Sequence, residues 1–194
     1  MHRSILAKFI QEHDIYLLGP MGVGKTTFVS NLRRLADINY ISIGDITRRA
    51  LGAPNPDRIY TIREKGRIPL SAVRAIISPY LTSKTSYILD GVPRRTDEAE
   101  WIKSYIVSRP FRAIALTLSA SDEILSRRLA HRSLRDERPE TPERIERRLA
   151  VYKSESKKVL GILEPVLFKH IELDTSKLSP TEVVTIFRKA VTEL

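Results

Sequence analysis

A short apolar run ends in a glycine-rich turn that could bind phosphate groups. Residues 15–18 read IYLL, and residues 19–26 read GPMGVGKT, which fits the pattern G-x-x-x-x-G-K-[ST]. Because glycine lacks a Cβ atom, the backbone N–H groups of such a loop can turn inward and approach phosphate oxygens closely. The pattern brings Lys25 within reach of β- and γ-phosphates and lets the hydroxyl of Thr26 bind Mg²⁺. The loop therefore indicates a nucleotide, without specifying a reaction.

Strands and helices must hold this loop in place. Apolar residues at helical spacing in residues 26–35 predict a helix whose positive N-terminus faces the phosphates. Besides the strand before the loop, apolar runs predict strands at 40–43, 87–89, 113–118 and 171–173. Helices are predicted between and after them, with N-termini near Thr96, Ser121, Thr141 and Ser179. Strands separated by helices indicate parallel βαβ units, so we predict one domain, residues 1–194, with a three-layer α/β fold and a parallel sheet of about five strands.

Polar residues follow two further predicted strands, at the edge where ligands bind in such sheets. Residues 42–48 follow the second strand, and residues 90–95 follow the third. Asp90 occupies the usual place of a carboxylate that binds Mg²⁺, often through water. The alternative is an Asx turn before Gly91. Arg94 would lie beside the phosphates, or it is one more surface arginine.

Residues 127–148 contain eight arginines interleaved with five acidic residues. A solvated helix face is one interpretation, because the acidic residues offset most of the charge. Phosphoryl transfer, however, needs guanidinium groups that converge on phosphate oxygens, and a closing loop can supply them. Residues 131–141 are polar and aperiodic, which predicts a surface loop. The arginines that we select as functional are Arg128, Arg132, Arg138 and Arg148.

The composition fits a globular protein. The chain has 194 residues, of which 42% are hydrophobic, and no run is long enough to span a membrane. It has no cysteine, which excludes disulfides and thiolate metal sites and fits a cytoplasmic location. Its N-terminal residues lack the apolar segment of a signal peptide. The formal net charge of +10 suits nucleotide phosphates or nucleic acid, although solubility alone would also explain it.

Taken in order, these motifs resemble those of the adenylate kinases and, more broadly, the nucleoside monophosphate kinases. Residues 19–26 resemble the P-loop of that family, and residues 40–48 (YISIGDITR) resemble its substrate-side motif. Residues 87–94 (YILDGVPR) resemble its most specific signature. The four selected arginines resemble those of its lid, and the resemblance extends from about residue 14 to 191.

The resemblance implies transfer of a phosphoryl group from Mg·ATP to a nucleoside monophosphate (NMP), with AMP as the expected acceptor. It implies an NMP-binding insert at about 44–72 and a short lid at about 131–141 without metal ligands, so structural zinc is not expected. The implied ATP-binding residues are Gly19, Met21, Gly22, Val23, Gly24, Lys25, Thr26, Thr27, Arg128 and Arg132. The implied NMP-binding residues are Ser42, Ile43, Gly44, Asp45, Arg48, Ile68, Gly91, Arg94, Glu98, Arg138 and Arg148. The implied catalytic residues are Lys25, Arg94, Arg132, Arg138 and Arg148, and the implied Mg²⁺ ligands are Thr26 and Asp90.

Three departures from the family bear on the acceptor. The sequence GKTT at 24–27 is closer to shikimate kinases, but those enzymes carry a triple glycine where this chain has DGVPR. Ile43 stands where adenylate kinases commonly have threonine, and Glu98 where they have a glutamine that reads adenine. The acceptor base is therefore open, and Glu98 could instead point to solvent.

Two other functions compete with this interpretation. One is a kinase for a small molecule that is not a nucleotide, of the shikimate kinase type. The other is an ATP-binding adaptor that contacts nucleic acid through the basic surface. Because no basic stripe interleaved with aromatic residues is visible, nucleic acid is not an expected partner. We expect a monomer that acts on small-molecule nucleotides.

Overall fold

The computed structural model describes residues 2–50, 69–82, 84–135 and 141–194. The strands are β1 (His13–Leu18), β2 (Tyr40–Ser42), β3 (Ile88–Asp90), β4 (Arg112–Ser119) and β5 (Lys169–Asp174). The α-helices are α1 (His2–Glu12), α2 (Lys25–Leu32), α3 (Ile43–Ala50), α4 (Leu70–Ile77), α5 (Thr96–Val107), α6 (Asp122–Arg135), α7 (Pro142–Leu163) and α8 (Pro180–Thr192). Short 3₁₀ turns follow α4 and α7, at Ser78–Tyr80 and Glu164–Val166.

The five strands form one parallel sheet in the order β2-β3-β1-β4-β5. The central strand β1 pairs with β3 and β4, so that Leu17 lies between Asp90 and Leu116. Ser42 of β2 pairs with Asp90 from the other side. The carboxyl ends of β1, β2 and β3 therefore meet at one edge, as the sequence predicts.

Two apolar layers cover the sheet, one on each face. The first is formed with α1, α2, α6 and α8 and includes the buried side chains of Phe28, Leu129 and Phe187. The second is formed with α4 and α5 and includes Ile77 and Ile102. Helix α7 contributes to both layers. Burial on both faces accounts for the continuous apolar runs of the central strands and confirms the predicted three-layer architecture.

Some predicted boundaries are wrong. Helix α6 continues to Arg135, so residues 131–135 of the expected loop are helical, while 136–140 lie outside the described residues. The helix extends because residues 131–135 (HRSLR) contain neither glycine nor proline, and a helix that has formed propagates at low cost. Ile43 begins α3 instead of ending β2.

The predicted helix starts near residues 141 and 179 are confirmed. The hydroxyl of Thr141 accepts a hydrogen bond from the backbone N of Arg144, and Ser179 forms a capping box with Glu182. Thr96, expected to cap α5, is instead its first helical residue. The carboxylate of Glu98 reaches back to the backbone N of Arg94, and thereby satisfies a donor ahead of the helix.

A buried ion pair ties the amino ends of the strands together. The Arg109 guanidinium binds both carboxylate oxygens of Asp14, and the two side chains are only 2% and 1% exposed. Arg109 also donates to the backbone carbonyls of Thr82 and Thr85, and it lies 4.6 Å from the centre of the Tyr87 ring. The segment that leads into β3 is thus fixed at the end of the sheet opposite the glycine-rich loop.

We expect Arg109→Met to lower the free energy of unfolding by about 3–5 kcal/mol, because it leaves the Asp14 carboxylate buried without its charge partner. Denaturant unfolding monitored by circular dichroism measures this loss. The matched control is Lys153→Met, which removes an exposed ion pair with Asp122 and should cost at most about 1 kcal/mol. Equal losses in the two variants would contradict this view of the buried pair.

Candidate active site

The glycine-rich loop between β1 and α2 adopts a backbone that requires glycine. Gly19, Gly22 and Gly24 have φ angles of 137°, 78° and 104°. A Cβ atom on Gly19 would lie 2.5 Å from the carbonyl oxygen of Leu118, and one on Gly22 would lie 2.8 Å from the Leu129 side chain. The first contact packs the loop against β4 and the second packs it against α6. The loop is therefore held from both sides in a glycine-dependent conformation, of the kind in which backbone N–H groups can turn towards phosphate oxygens.

Lys25 is held within this loop. Its Nζ donates to the carbonyl oxygens of Gly19 and Pro20, at 2.7 Å and 2.9 Å. Lys25 is also the first residue of α2, where the backbone N of Phe28 already bonds to the carbonyl of Gly24. The ammonium group and the positive end of α2 are thus placed together, as phosphate binding requires.

Asp90 ends β3 beside this loop and is only 8% exposed. Its Oδ2 accepts a hydrogen bond of 2.8 Å from the Tyr40 hydroxyl. Its Oδ1 is buried and has no hydrogen-bond partner among the residues that the structure describes. The alternative of an Asx turn is therefore wrong. Burial raises the pKa of Tyr40 far above its ordinary value, and the negative charge of Asp90 raises it further. The hydroxyl is therefore protonated and donates the hydrogen bond.

Gly91 makes room for the Arg94 side chain. Its φ angle is 97°, and a Cβ atom there would lie 2.9 Å from Nη2 of Arg94 and 3.5 Å from the Cβ of Ile43. The guanidinium of Arg94 therefore folds back over Gly91 near the start of α3. At the start of α3, the Ser42 hydroxyl accepts a hydrogen bond from the backbone N of Asp45. The motifs after β2 and β3 thus meet, as predicted.

Glu98 does not point to solvent, so that alternative is wrong. Its side chain is 8% exposed, and its Oε2 accepts a 2.7 Å hydrogen bond from the backbone N of Arg94. Its Oε1 lies 3.3 Å from Nη2 of Arg95. Burial raises the pKa of Glu98, although the Arg94 N–H and the charges of Arg95 and Arg94 oppose the shift. Arg95 was not predicted as a site residue. The sequence pattern that could have indicated it is the pair of acidic residues that follows, Asp97 and Glu98.

Arg128 connects the glycine-rich loop to the end of β5. Its guanidinium donates to the carbonyl of Val23 and to both the hydroxyl and the carbonyl of Thr175, at 2.8–3.3 Å. The buried Thr175 hydroxyl in turn donates to the carbonyls of Val23 and Ser119. Thr175 is a second residue that sequence reasoning missed. Its signal was its place directly after the last strand.

The other predicted site residues are distributed along the same elements. Met21 is in the glycine-rich loop and packs against the first apolar layer, and Thr27 is on α2. Gly44 and Arg48 belong to α3, Arg132 to α6, and the half-buried Arg148 to α7. Ile68 and Arg138 lie outside the described residues.

These features first define the class of protein. A parallel sheet in which a P-loop follows the central strand, next to a carboxylate at the end of the neighbouring strand, is the arrangement of P-loop phosphotransferases.

The sequence also matches the family model described as "Adenylate kinase" over residues 17–165. It is 33% identical over 147 residues to the adenylate kinase of Cyanothece sp., across 71% of this chain and 75% of that protein. It is 34% identical over 124 residues to the enzyme of Rickettsia bellii, across 61% of this chain and 57% of that protein. It is 30% identical over 155 residues to the enzyme of Thermus thermophilus, across 77% of this chain and 82% of that protein.

The chain therefore belongs to the adenylate kinase family. This confirms the resemblance seen in the motifs, and with it a phosphotransferase of the nucleoside monophosphate kinase type. It favours this function over the shikimate-type kinase and the nucleotide-binding adaptor. Within the described ranges, no helix is long and apolar enough to cross a membrane.

We expect Gly19→Ala to weaken ATP binding at least about tenfold, because the added Cβ collides with the Leu118 carbonyl in a backbone conformation already costly for alanine. Calorimetric titration with ATP measures the loss. The control is Gly161→Ala in α7, where the added Cβ meets no atom within 4 Å. It should leave ATP affinity unchanged and stabilise the helix by about 1 kcal/mol. Wild-type ATP affinity in a folded Gly19→Ala protein would contradict the assigned role of the loop.

Proposed function

We propose that the protein transfers the γ-phosphoryl group of Mg·ATP to a nucleoside monophosphate, with AMP the most favoured acceptor, to give ADP and a nucleoside diphosphate. The observation that carries the proposal is the meeting of three groups at the carboxyl edge of the sheet. They are Lys25 in its loop, the buried carboxylate of Asp90, and the guanidinium of Arg94 folded over Gly91. A cation for the donor phosphates, a carboxylate for a metal and an arginine for a second phosphate are the groups that this reaction needs.

On the donor side, the P-loop backbone and Lys25 hold the ATP phosphates, with Thr26 at the metal and Arg128 on the adenine side. Support comes from the position of Lys25 at the start of α2 and from the contact of Arg128 with Val23. In the transition state, Lys25 neutralises charge that develops on the transferring group. Because Nζ of Lys25 now donates to two carbonyls of its own loop, phosphate oxygens can replace these carbonyls without moving the backbone.

The residues at the end of β3 suit magnesium. Mg²⁺ prefers oxygen ligands, keeps several waters and binds through one or two carboxylates together with substrate phosphates. Asp90 presents a buried oxygen without a hydrogen-bond partner in the described part of the chain, and Thr26 is the second residue of α2, directly after Lys25. These two residues would hold the ion, directly or through water. When bound, it supplies positive charge to the β- and γ-phosphates.

On the acceptor side, Arg48 and Arg94 bind the phosphate of the acceptor, while Arg132, Arg138 and Arg148 clamp the group in transfer. Residues 44–72 form the acceptor-binding insert, and residues 131–141 close over the nucleotides as a lid without structural zinc. Support comes from α3, which starts the insert directly at the carboxyl end of β2, and from α6, which leads from the P-loop contact at Leu129 into the lid. Closure brings the arginines to the phosphates and lets products leave on opening.

We also propose that the protein is a monomer in the cytoplasm and acts on free nucleotides. A chain without cysteine fits a reducing compartment, and an excess of basic residues attracts phosphorylated substrates without requiring nucleic acid.

We expect Arg94→Ala to weaken the acceptor at least about tenfold and ATP by less than about twofold, because a bidentate Arg–phosphate contact is not replaced by water. Calorimetry with AMP and with ATP in separate titrations measures both. The control is Arg112→Ala, at the opposite end of the sheet, which should change neither affinity. If Arg94→Ala lost equal affinity for AMP and for ATP, the assignment of Arg94 to the acceptor phosphate would be wrong.

We propose further that the acceptor base is read less selectively than in typical adenylate kinases. An ionised carboxylate only accepts hydrogen bonds, so Glu98 suits the N1–H and N2–H donors of guanine and opposes the N1 lone pair of adenine. Support comes from the position of this carboxylate beside the Arg94 backbone, at the acceptor side of the edge. Ile43, close to Gly91 and without a hydroxyl, removes one further polar contact to the base.

We therefore expect GMP or another nucleoside monophosphate to compete with AMP, and Glu98→Gln to raise the AMP/GMP ratio of kcat/KM about tenfold, since one mismatched buried group costs about 1–3 kcal/mol. Steady-state kinetics with AMP, GMP, CMP and UMP measure the ratio. Glu100→Gln, exposed on the same helix, is the control and should leave it unchanged. A thousandfold preference for AMP in the wild type that Glu98→Gln does not alter would reject the idea.

A further inference from the structure

We propose that Tyr40 is a positioning residue of the magnesium site, and that its hydroxyl fixes the Asp90 carboxylate in the orientation that receives the metal. The inference rests on the proposed function, because it takes Asp90 as a residue that faces the ion. Tyr40 is the first residue of the substrate-side motif at 40–48, but neither that motif nor the family assignment gave it a role at the metal.

The first observation is the reach of Tyr40 along the sheet. Tyr40 begins β2 and pairs with Ile88, while Ser42 pairs with Asp90 two residues further on. Tyr40 and Ser42 point to the same face of the strand because side chains alternate along it. The Tyr40 hydroxyl donates its proton to Oδ2 of Asp90, at 2.8 Å, so the phenol reaches towards the carboxyl end of the strands.

The second observation is that this hydrogen bond joins two segments that are distant along the chain. The hydroxyl belongs to the first residue of β2, and its partner Asp90 ends β3, 50 residues further on. One side chain of β2 therefore restrains the carboxylate that is the expected metal ligand after β3.

The third observation is the state of the carboxylate itself. Tyr40 occupies Oδ2 of Asp90, whereas Oδ1 is buried and finds no partner within the described residues. A carboxylate held by one oxygen presents the other in a fixed direction. Hydrogen bonds from such neighbours orient metal ligands and commonly change metal affinity by about 10–100-fold.

The ring of Tyr40 is fixed as well. It packs against the first apolar layer, and the Arg33 guanidinium lies 5.2 Å from its centre. If this position needed only packing, a phenylalanine ring would serve equally well. The hydroxyl is therefore the part of Tyr40 that the inference concerns, and the substitution Tyr40→Phe tests it while keeping the packing.

The matched control is Tyr16→Phe. It also removes a tyrosine hydroxyl from a hydrogen bond, here a buried one of 3.0 Å to the hydroxyl of Tyr87 on the opposite face of the sheet. Both variants should keep the fold, which circular dichroism and thermal unfolding check. Any general effect of losing a buried hydroxyl should appear in both variants.

The experiment measures metal and nucleotide binding separately. Calorimetry with ATP in the presence of EDTA gives nucleotide affinity without metal, and the paramagnetic resonance of Mn²⁺ titrated into the protein–ATP complex gives metal affinity. For Tyr40→Phe we expect ATP affinity in EDTA to stay within about twofold of wild type and Mn²⁺ affinity to fall about tenfold. For Tyr16→Phe we expect neither to change.

Asp90→Asn distinguishes failure of the inference from failure of the proposed metal site. If Asp90→Asn lowers Mn²⁺ affinity and Tyr40→Phe does not, Asp90 faces the metal and the inference about Tyr40 is wrong. If neither variant lowers it, the metal site and the inference both fail. If Tyr40→Phe weakens ATP binding equally with and without metal, the hydroxyl supports the nucleotide site independently of the metal, which also overturns the inference.

Discussion

The register of β1 between β3 and β4 is the constraint on which the site depends. Because Leu17 lies level with Asp90 on one side and with Leu116 on the other, the turn after β1 emerges beside the last residue of β3. A shift of one residue would turn Asp90 to the other face of the sheet and separate it from the P-loop. The apolar layers on both faces prevent such a shift, since it would exchange their side chains.

Buried charged groups have different partners at the two ends of the sheet. At the amino end, Asp14 and Arg109 satisfy each other, and the remaining guanidinium donors bond to backbone carbonyls. At the carboxyl end, Asp90 retains an oxygen without a partner among the described residues, and the Lys25 ammonium is held by carbonyls of its own loop. An unpaired buried acceptor is costly unless a ligand meets it. Nε2 of His13, at the amino end of β1, is also buried without a partner among the described residues, so an unpaired atom alone does not separate the two ends. The Asp90 oxygen belongs to a carboxylate at the edge that carries the P-loop, which favours this edge for the chemistry.

Local sequence patterns predicted the strands, the P-loop and the meeting of the motifs after β2 and β3, because spacing along the chain determines these features. Contacts between distant residues escaped prediction. Tyr40 was predicted as a strand residue at the start of the substrate-side motif, without a role of its own, and its bond to Asp90, 50 residues away, follows from the order of the strands. The same holds for Arg128 with Thr175 and for Arg109 with Asp14. The end of α6 was missed because polar, aperiodic residues can continue a helix whose apolar face is already buried.

Transfer of label from [γ-³²P]ATP to AMP in the presence of Mg²⁺ tests the central claim most directly. The account predicts that the label appears in the β-phosphate of newly formed ADP, and that a folded Lys25→Ala protein forms it at least about a hundredfold more slowly, since preorganised donors contribute on the order of 3 kcal/mol or more. Label that appears only as inorganic phosphate, or formation of labelled ADP at the wild-type rate by Lys25→Ala, would contradict the account.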